Sequence, residues 1–248
     1  MYKNIVGSLP FISGAISPYR ILNDHSARLI LFIVSTALLF SSCAHAQPVA
    51  DTAYMRVLTE RSAKIVSTLD IVDTIIGNKV TKQIAQQYYD LNLIHDRTKA
   101  AIAALKAKNS AKEETDLGIK AIGDKKSAEL KQLHDHFLAL LGKRLTTTQI
   151  EKVKDGMTYR VLPVTWTAYM DMLQNLTQQQ KDQMYAWLLE ARELAMDEGS
   201  SDAKHAVFGK YKGKINNYLS AQGYDMKKEG EDWAKRIQAD KKVKQLKN

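Results

Sequence analysis

Residues Trp187 to Lys228 read WLLEARELAMDEGSSDAKHAVFGKYKGKINNYLSAQGYDMKK. The stretch opens as an amphipathic helix: Met184, Trp187, Leu188, Ala191, Leu194 and Ala195 recur at three- and four-residue steps, and Lys181, Asp182 and Glu193 fall on other faces. Gly199-Ser200-Ser201 breaks that helix. A second helical run follows, in which Tyr211, Lys214 and Tyr218 share one face while Ile215 and Leu219 turn toward a core. His205, Lys210, Tyr211, Lys212, Lys214, Asn216, Asn217, Tyr218 and Tyr224 crowd into its twenty residues. Helix, break, helix is the pattern that decides the fold class.

The same period extends outward in both directions. Tyr54, Val57, Leu58, Arg61, Ile65 and Leu69 form one helix face, with Asp51 or Thr52 as a cap and Gly77-Asn78 as the next break. Val80, Ile84, Tyr88, Leu91, Ile94, Ile102 and Leu105 continue the stripe. A helix running unbroken from Lys79 to Lys108 is about 45 Å long at 1.5 Å per residue. Between Lys106 and Ser127 the chain is mostly Lys, Ala, Glu and Asp, and Gly118 and Gly123 weaken helix there, which suits a solvated hairpin end or a frayed connection. Leu130, Leu133, Phe137, Leu140 and Leu141 then make a second arm. The expected fold is all-α: a helical bundle with a long antiparallel helical hairpin followed by shorter packed helices.

Two helix starts echo each other, Leu145-Thr146-Thr147-Thr148-Gln149 and Leu176-Thr177-Gln178-Gln179-Gln180. In each, Thr precedes Gln by three residues, the spacing of a capping box. Exported helical chaperones carry a similar L-T-x-x-Q signature, which makes a periplasmic chaperone-like helical protein a further alternative, although local capping accounts for the spacing without any function. Between the echoes lies KDGMTYRVLPVTWTAYMDML, residues 154–173. Gly156 is expected to end one helix, and Pro163 to hold an extended elbow at Tyr159-Arg160-Val161 before the helix of Trp166, Tyr169, Met170 and Leu173. Asp155, Tyr159, Trp166 and Tyr169 are candidates to line a cleft there, although such aromatics also suit a core. Gly230 interrupts the tail, Trp233 and Ile237 suggest a last short helix, and KKVKQLKN reads as a frayed end.

At the other end, Leu29–Phe40 is an apolar run of signal-peptide length after Arg28, too short for a bilayer span. Ala44-His45-Ala46 has the small-x-small pattern of a cleavage site. The expectation is a signal peptide over 1–46, cleaved after Ala46 or lipidated at Cys43, and a single helical domain over 47–248. Location is then periplasmic or secreted, or a lipoprotein held to the membrane through Cys43. Cys43 is the one cysteine, so the domain has no disulfide to lean on. The chain carries a formal +9, of which residues 1–46 hold a net +2 from Lys3, Arg20, Arg28 and Asp24, leaving +7 for the domain. That balance suits an anionic partner. An exported chain is not expected to meet nucleic acid. The same lysines also serve as a solvated surface.

The pieces KDGMTY, TERSAKIVSTL and WLLEARELAMDEGSSDAKHAVFGKYKGKINNYLSAQGYD resemble a family of exported helical proteins from polysaccharide-degrading Bacteroidota, the domain of unknown function 3826, which carries a sugar-binding label. The likeness runs from about Tyr54 to Ala239. Relatives often have arginine where this chain has Lys214, so a bidentate contact there is lost while the charge stays. The resemblance implies an all-helical carbohydrate-binding protein and brings no established site residues with it.

Sugar recognition needs flat aromatic faces together with amides and charges for the hydroxyls. The candidate ligand-binding residues are therefore Tyr159, Trp166, His205, Lys210, Tyr211, Lys214, Asn216, Asn217, Tyr218 and Tyr224, with acidic plant-type glycan fragments as the ligand. A shared hollow for Tyr159, Tyr211 and Asn217 is the expectation to test. An enzyme acting on anionic polysaccharide is the rival: elimination through His205, Lys210, Tyr211 and Arg192, or hydrolysis through a carboxylate among Glu190, Glu193, Asp197 and Glu198 facing Asp155 or Asp171. No catalytic residue is assigned. His134 and His136 point roughly 200° apart around a helix, and His95 with His134 alone makes a poor metal site, so no metal and no cofactor are expected.

Overall fold

The computed structural model describes residues 49–108 and 111–246. Eight α-helices account for nearly all of them: α1 (Val49–Val66), α2 (Thr74–Ala107), α3 (Lys112–Gly142), α4 (Thr147–Met157), α5 (Val161–Met172), α6 (Gln178–Met196), α7 (Ser201–Ala221) and α8 (Met226–Leu246). Gln47–Asn248 form one compact unit. The readings at Leu29–Phe40, Cys43 and Ala44-His45-Ala46 lie outside the described residues, and no described helix is long and apolar enough to cross a membrane.

The helices α2 and α3 are the arms of the long hairpin. Arg97 pairs with Glu129 across them, and Leu105 packs on Gly118 nearer the tip. A Cβ at Gly118 would stand 2.6 Å from Leu105 Cδ2, so that glycine lets the arms close rather than weakening the tip. The break before α2 falls earlier than Gly77-Asn78. Asp73 caps the helix by accepting from the Ile75 and Ile76 amides at 2.7 and 3.2 Å, and Gly77 simply continues it. At the far end, α8 runs through Gly230 and the lysine-rich tail to Leu246. Trp233 donates to Asp171 at 2.6 Å, and Arg236 donates to the Asp171 and Met172 carbonyls at 3.0 Å, satisfying the last turn of α5.

Two hydrophobic cores lie within this unit. The first gathers Leu58 and Ile65 of α1, Ile84 and Tyr88 of α2, Phe137 and Leu141 of α3, and Val153 and Met157 of α4. The second gathers Leu162 and Tyr169 of α5, Met184 and Leu188 of α6, and Phe208, Ile215 and Leu219 of α7. Tyr54 and Val57 stand outside the first core, and Leu194, read as part of the buried stripe of α6, is about half exposed. Both Thr-x-x-Gln sequences are capping boxes, Thr146 with Gln149 and Thr177 with Gln180. Gln149 reaches further and donates from Nε2 to the Leu69 carbonyl at 2.9 Å, tying α4 to the end of α1.

The joint between the two cores is the α4–α5 elbow, and it is tight rather than extended. The Arg160 amide donates to the Asp155 carbonyl at 2.7 Å and the Tyr159 amide to the Gly156 carbonyl at 3.4 Å, the bonding of a Schellman ending. Tyr159 and Arg160 both take φ +57°, the left-handed region, and α5 starts at once with Val161. Pro163 falls in the first turn of α5, where its missing N–H costs nothing, so it does not hold the elbow open. Gly156 stays inside α4. Its role is close approach, since a Cβ there would lie 2.8 Å from Ile65 Cγ2 on α1.

Candidate functional site

Above that close approach, α1, α2, α4 and the elbow enclose a cleft of about 620 Å³. Arg61 and Lys64 line it from α1, one turn apart on a single face, and Thr68 from the turn that follows. Tyr88 comes from α2, Lys152 and Asp155 from α4, and Tyr159 and Arg160 from the elbow. Four cations thus face one carboxylate. Lys152 is held by Asp70 at 2.9 Å and by the Thr68 carbonyl at 3.1 Å. Arg61, Lys64 and Arg160 have no ion-pair partner among the described residues. The Arg61 guanidinium instead lies 5.6 Å from the centre of the Tyr88 ring. Burial pushes the Tyr88 phenol well above its ordinary range, so it remains a neutral donor.

The two left-handed residues are the structural anomaly of the site. Such a conformation costs about 1–2 kcal/mol per non-glycine residue, and two in succession persist only where the surroundings enforce them. Their effect is to turn Tyr159 outward. Tyr159 is 45 % exposed, and its ring packs on the His205 ring of α7, centroids 5.4 Å apart. His205 is in turn fixed by its Nδ1, 2.8 Å from the Ser201 carbonyl.

Beneath the cleft, Asp155 is gripped by Arg192 of α6, whose Nη1 donates to Asp155 Oδ1 at 2.9 Å. The side chain of Arg192 is only 4 % exposed and also bonds Glu151 and Glu193. The chain of charges continues away from the cleft. Glu193 accepts from Lys154 at 2.9 Å and lies 3.5 Å from His134 Nε2, and Asp197 lies 3.0 Å from His134 Nδ1. Hydrogen bonds that His134 donates to Asp197 first and Glu193 second lift it to about 9. Burial alone would raise Glu193, but its bonds with His134 and Lys154 hold it down at about 2. His95 and His134 both turn to Asp197, His95 through the backbone carbonyl at 2.8 Å.

Of the residues singled out in the sequence, the structure places Asp155 and Tyr159 in the cleft, sets His205 against the Tyr159 ring, and distributes the rest. Lys210 and Tyr211 line a separate groove of about 640 Å³ between α3 and the α6–α7 pair. Burial and then the Glu190 carboxylate push the Tyr211 phenol to about 12. Lys214 sits 4.5 Å from the Trp187 ring centre, and Tyr218 meets Trp187 edge-on at 5.3 Å. The Tyr169 hydroxyl donates to Asn216 Oδ1 at 2.7 Å. Tyr224 donates to the Asn175 carbonyl at 3.0 Å, and Trp166 packs edge-on with Tyr185. Asn217 is exposed on α7. Tyr159 and Tyr211 therefore face different hollows. Glu190, Glu193, Asp197 and Asp171 are engaged with Tyr211, His134 and Trp233. Arg61, Lys64, Lys152 and Arg160 escaped the sequence reading. The available signal was Arg61, a charge standing in an otherwise apolar stripe.

An all-helical unit with a cationic, tyrosine-flanked cleft at its α4–α5 junction defines the class: an α-helical bundle. The chain belongs to the family described as "Protein of unknown function (DUF3826)", whose model matches residues 55–239 and so covers every residue of the cleft. No curated protein matches the sequence.

Proposed function

We propose that this protein is an exported carbohydrate-binding protein that holds acidic glycan fragments in the α4–α5 elbow cleft. The observation that carries the reading is the cluster of Arg61, Lys64, Lys152 and Arg160 around one cavity with Tyr88 and the outward-turned Tyr159. Guanidinium and ammonium groups suit a uronate carboxylate, and an exposed ring stiffened by a second ring suits the apolar face of a sugar. A cavity of this size falls within the ordinary range for small-molecule sites. The net +7 expected for residues 47–248 adds attraction at longer range. Export draws its support from the apolar run Leu29–Phe40 and the Ala44-His45-Ala46 pattern.

The test is calorimetric titration with trigalacturonate and with a neutral galactose trisaccharide. Binding of the acidic sugar alone, weakening as salt is raised, is the expected result. No heat with either sugar, or equal affinity for both, rejects the reading. A second reading, elimination on the same polymers, draws on the pairing of uronate-neutralising cations with tyrosine hydroxyls in one cleft. It requires an unsaturated product, detected by its ultraviolet absorbance, and long incubation without product rejects it.

A further inference from the structure

The carboxylate in the cleft is the feature that a simple anion site does not explain. Asp155 stands among Arg61, Lys64, Lys152 and Arg160, with its side chain 25 % exposed. A negative charge there repels any anion the cations attract. Neutralising Arg192 does not demand it, because Glu151 and Glu193 already bond the guanidinium from positions outside the cleft wall. The grip of Arg192 nevertheless aims the group. Nη1 holds Oδ1 at 2.9 Å, and no protein donor reaches Oδ2 among the described residues.

An ionised carboxylate oxygen without a partner accepts hydrogen bonds from hydroxyl groups, and such charge-assisted bonds are stronger than neutral ones. A bare oxyanion such as sulfate has acceptors only, so it meets repulsion and nothing else from Asp155. A sugar acid meets both halves of the cleft: its carboxylate faces the cations and its hydroxyls face Oδ2. Resting on the reading of the cleft as an acidic-glycan site, we infer that Asp155 selects polyhydroxylated acids over simple inorganic anions, with buried Arg192 as the positioning residue that keeps its second oxygen turned to the ligand.

The experiment compares trigalacturonate with sulfate on the full domain, wild type against Asp155→Asn and Glu151→Gln. Asp155→Asn keeps the shape but removes the anionic acceptor. The ratio of trigalacturonate to sulfate affinity should fall roughly tenfold, the effect of losing a hydrogen bond to a charged group. Sulfate itself should bind about threefold tighter once the repulsion is gone. Glu151→Gln removes another partner of Arg192 from outside the cleft and should leave the ratio within about twofold. An intact ratio in Asp155→Asn, or an equal fall in Glu151→Gln, overturns the inference. If Asp155→Asn does not fold, O-methylated trigalacturonate tests the wild type directly. It keeps the charges and lacks the hydroxyl donors, so a roughly tenfold loss supports the assignment and unchanged affinity overturns it. A wild type that binds trigalacturonate and sulfate equally overturns the selectivity alone. One that binds neither overturns the reading of the cleft and the selectivity with it.

Discussion

At the elbow, Tyr88, Tyr159 and four cations face about 620 Å³ of open volume. On α7, Tyr211, Lys214 and Tyr218 sit at helical spacing, and the lysine and the second tyrosine close on Trp187 of α6. The residue types are the same in the two regions, and their partners differ. On α7, Lys214 and Tyr218 close on Trp187 over the second core and Tyr211 lines its own groove beside Glu190; at the elbow the backbone itself is bent into an unfavourable region, with a ring and a guanidinium left outside. Tyrosine and lysine density on one helix face therefore marks packing as readily as binding, and what separates the two is whether a neighbouring helix comes close enough to use them.

Arg192 should be the costliest residue to change, because it lies beneath the cleft and joins the two cores. Arg192→Met leaves Asp155 without its cation, and Glu151 and Glu193 with Lys154 as the cation they share. Removing the buried cation from carboxylates that are themselves partly exposed costs about 2–3 kcal/mol. A melting temperature lower by roughly 10 °C is expected, and an unchanged melt would mean that the network contributes nothing. Tyr218→Ala, on the packing side of the comparison, removes the ring against Trp187. It should cost about 2 kcal/mol in chemical denaturation and leave trigalacturonate affinity unaltered.

The elbow should behave in the opposite sense. Arg160→Gly relieves one left-handed residue and removes one cation from the cleft. Stability should rise by about 1 kcal/mol while affinity for the acidic sugar falls. A variant that loses stability would show that the elbow conformation is not strained.

The smallest effect expected is a pH slope. His134 is raised from its ordinary 6.5 to about 9, so its contribution is complete below about pH 6.5 and drains away as pH rises toward 9. Lys204 opposes this at the upper end. Burial lowers it to about 8, so the cost of keeping it charged fades as pH rises above that value. The window from pH 6.5 to 8 therefore isolates the histidine, and the wild-type melting temperature should decline across it where that of His134→Gln stays flat. Parallel slopes would contradict the assignment.

The parts of this fold that could be read from the sequence are those set within one or two helical turns. The capping boxes at Thr146 and Thr177, the Gly199-Ser200-Ser201 break, and the core positions Ile215 and Leu219 all depend on near neighbours. Gly156 carries no label distinguishing a helix end from a close approach, and only the position of Ile65 decides. The elbow was harder still. Left-handed backbone is announced by Gly or Asn, and here it falls on Tyr159 and Arg160. Arg61 and Lys64 lie about a hundred residues from Tyr159, so nothing local joins them to it.

The comparison is decided most directly by one pair of double variants titrated with trigalacturonate, each checked by its melt. Arg61→Ala with Arg160→Ala should abolish binding, and Tyr211→Ala with Lys214→Ala should leave it within about twofold of wild type. Loss of binding in the α7 pair with binding kept in the elbow pair would contradict the account and move the ligand to the face assigned here to packing.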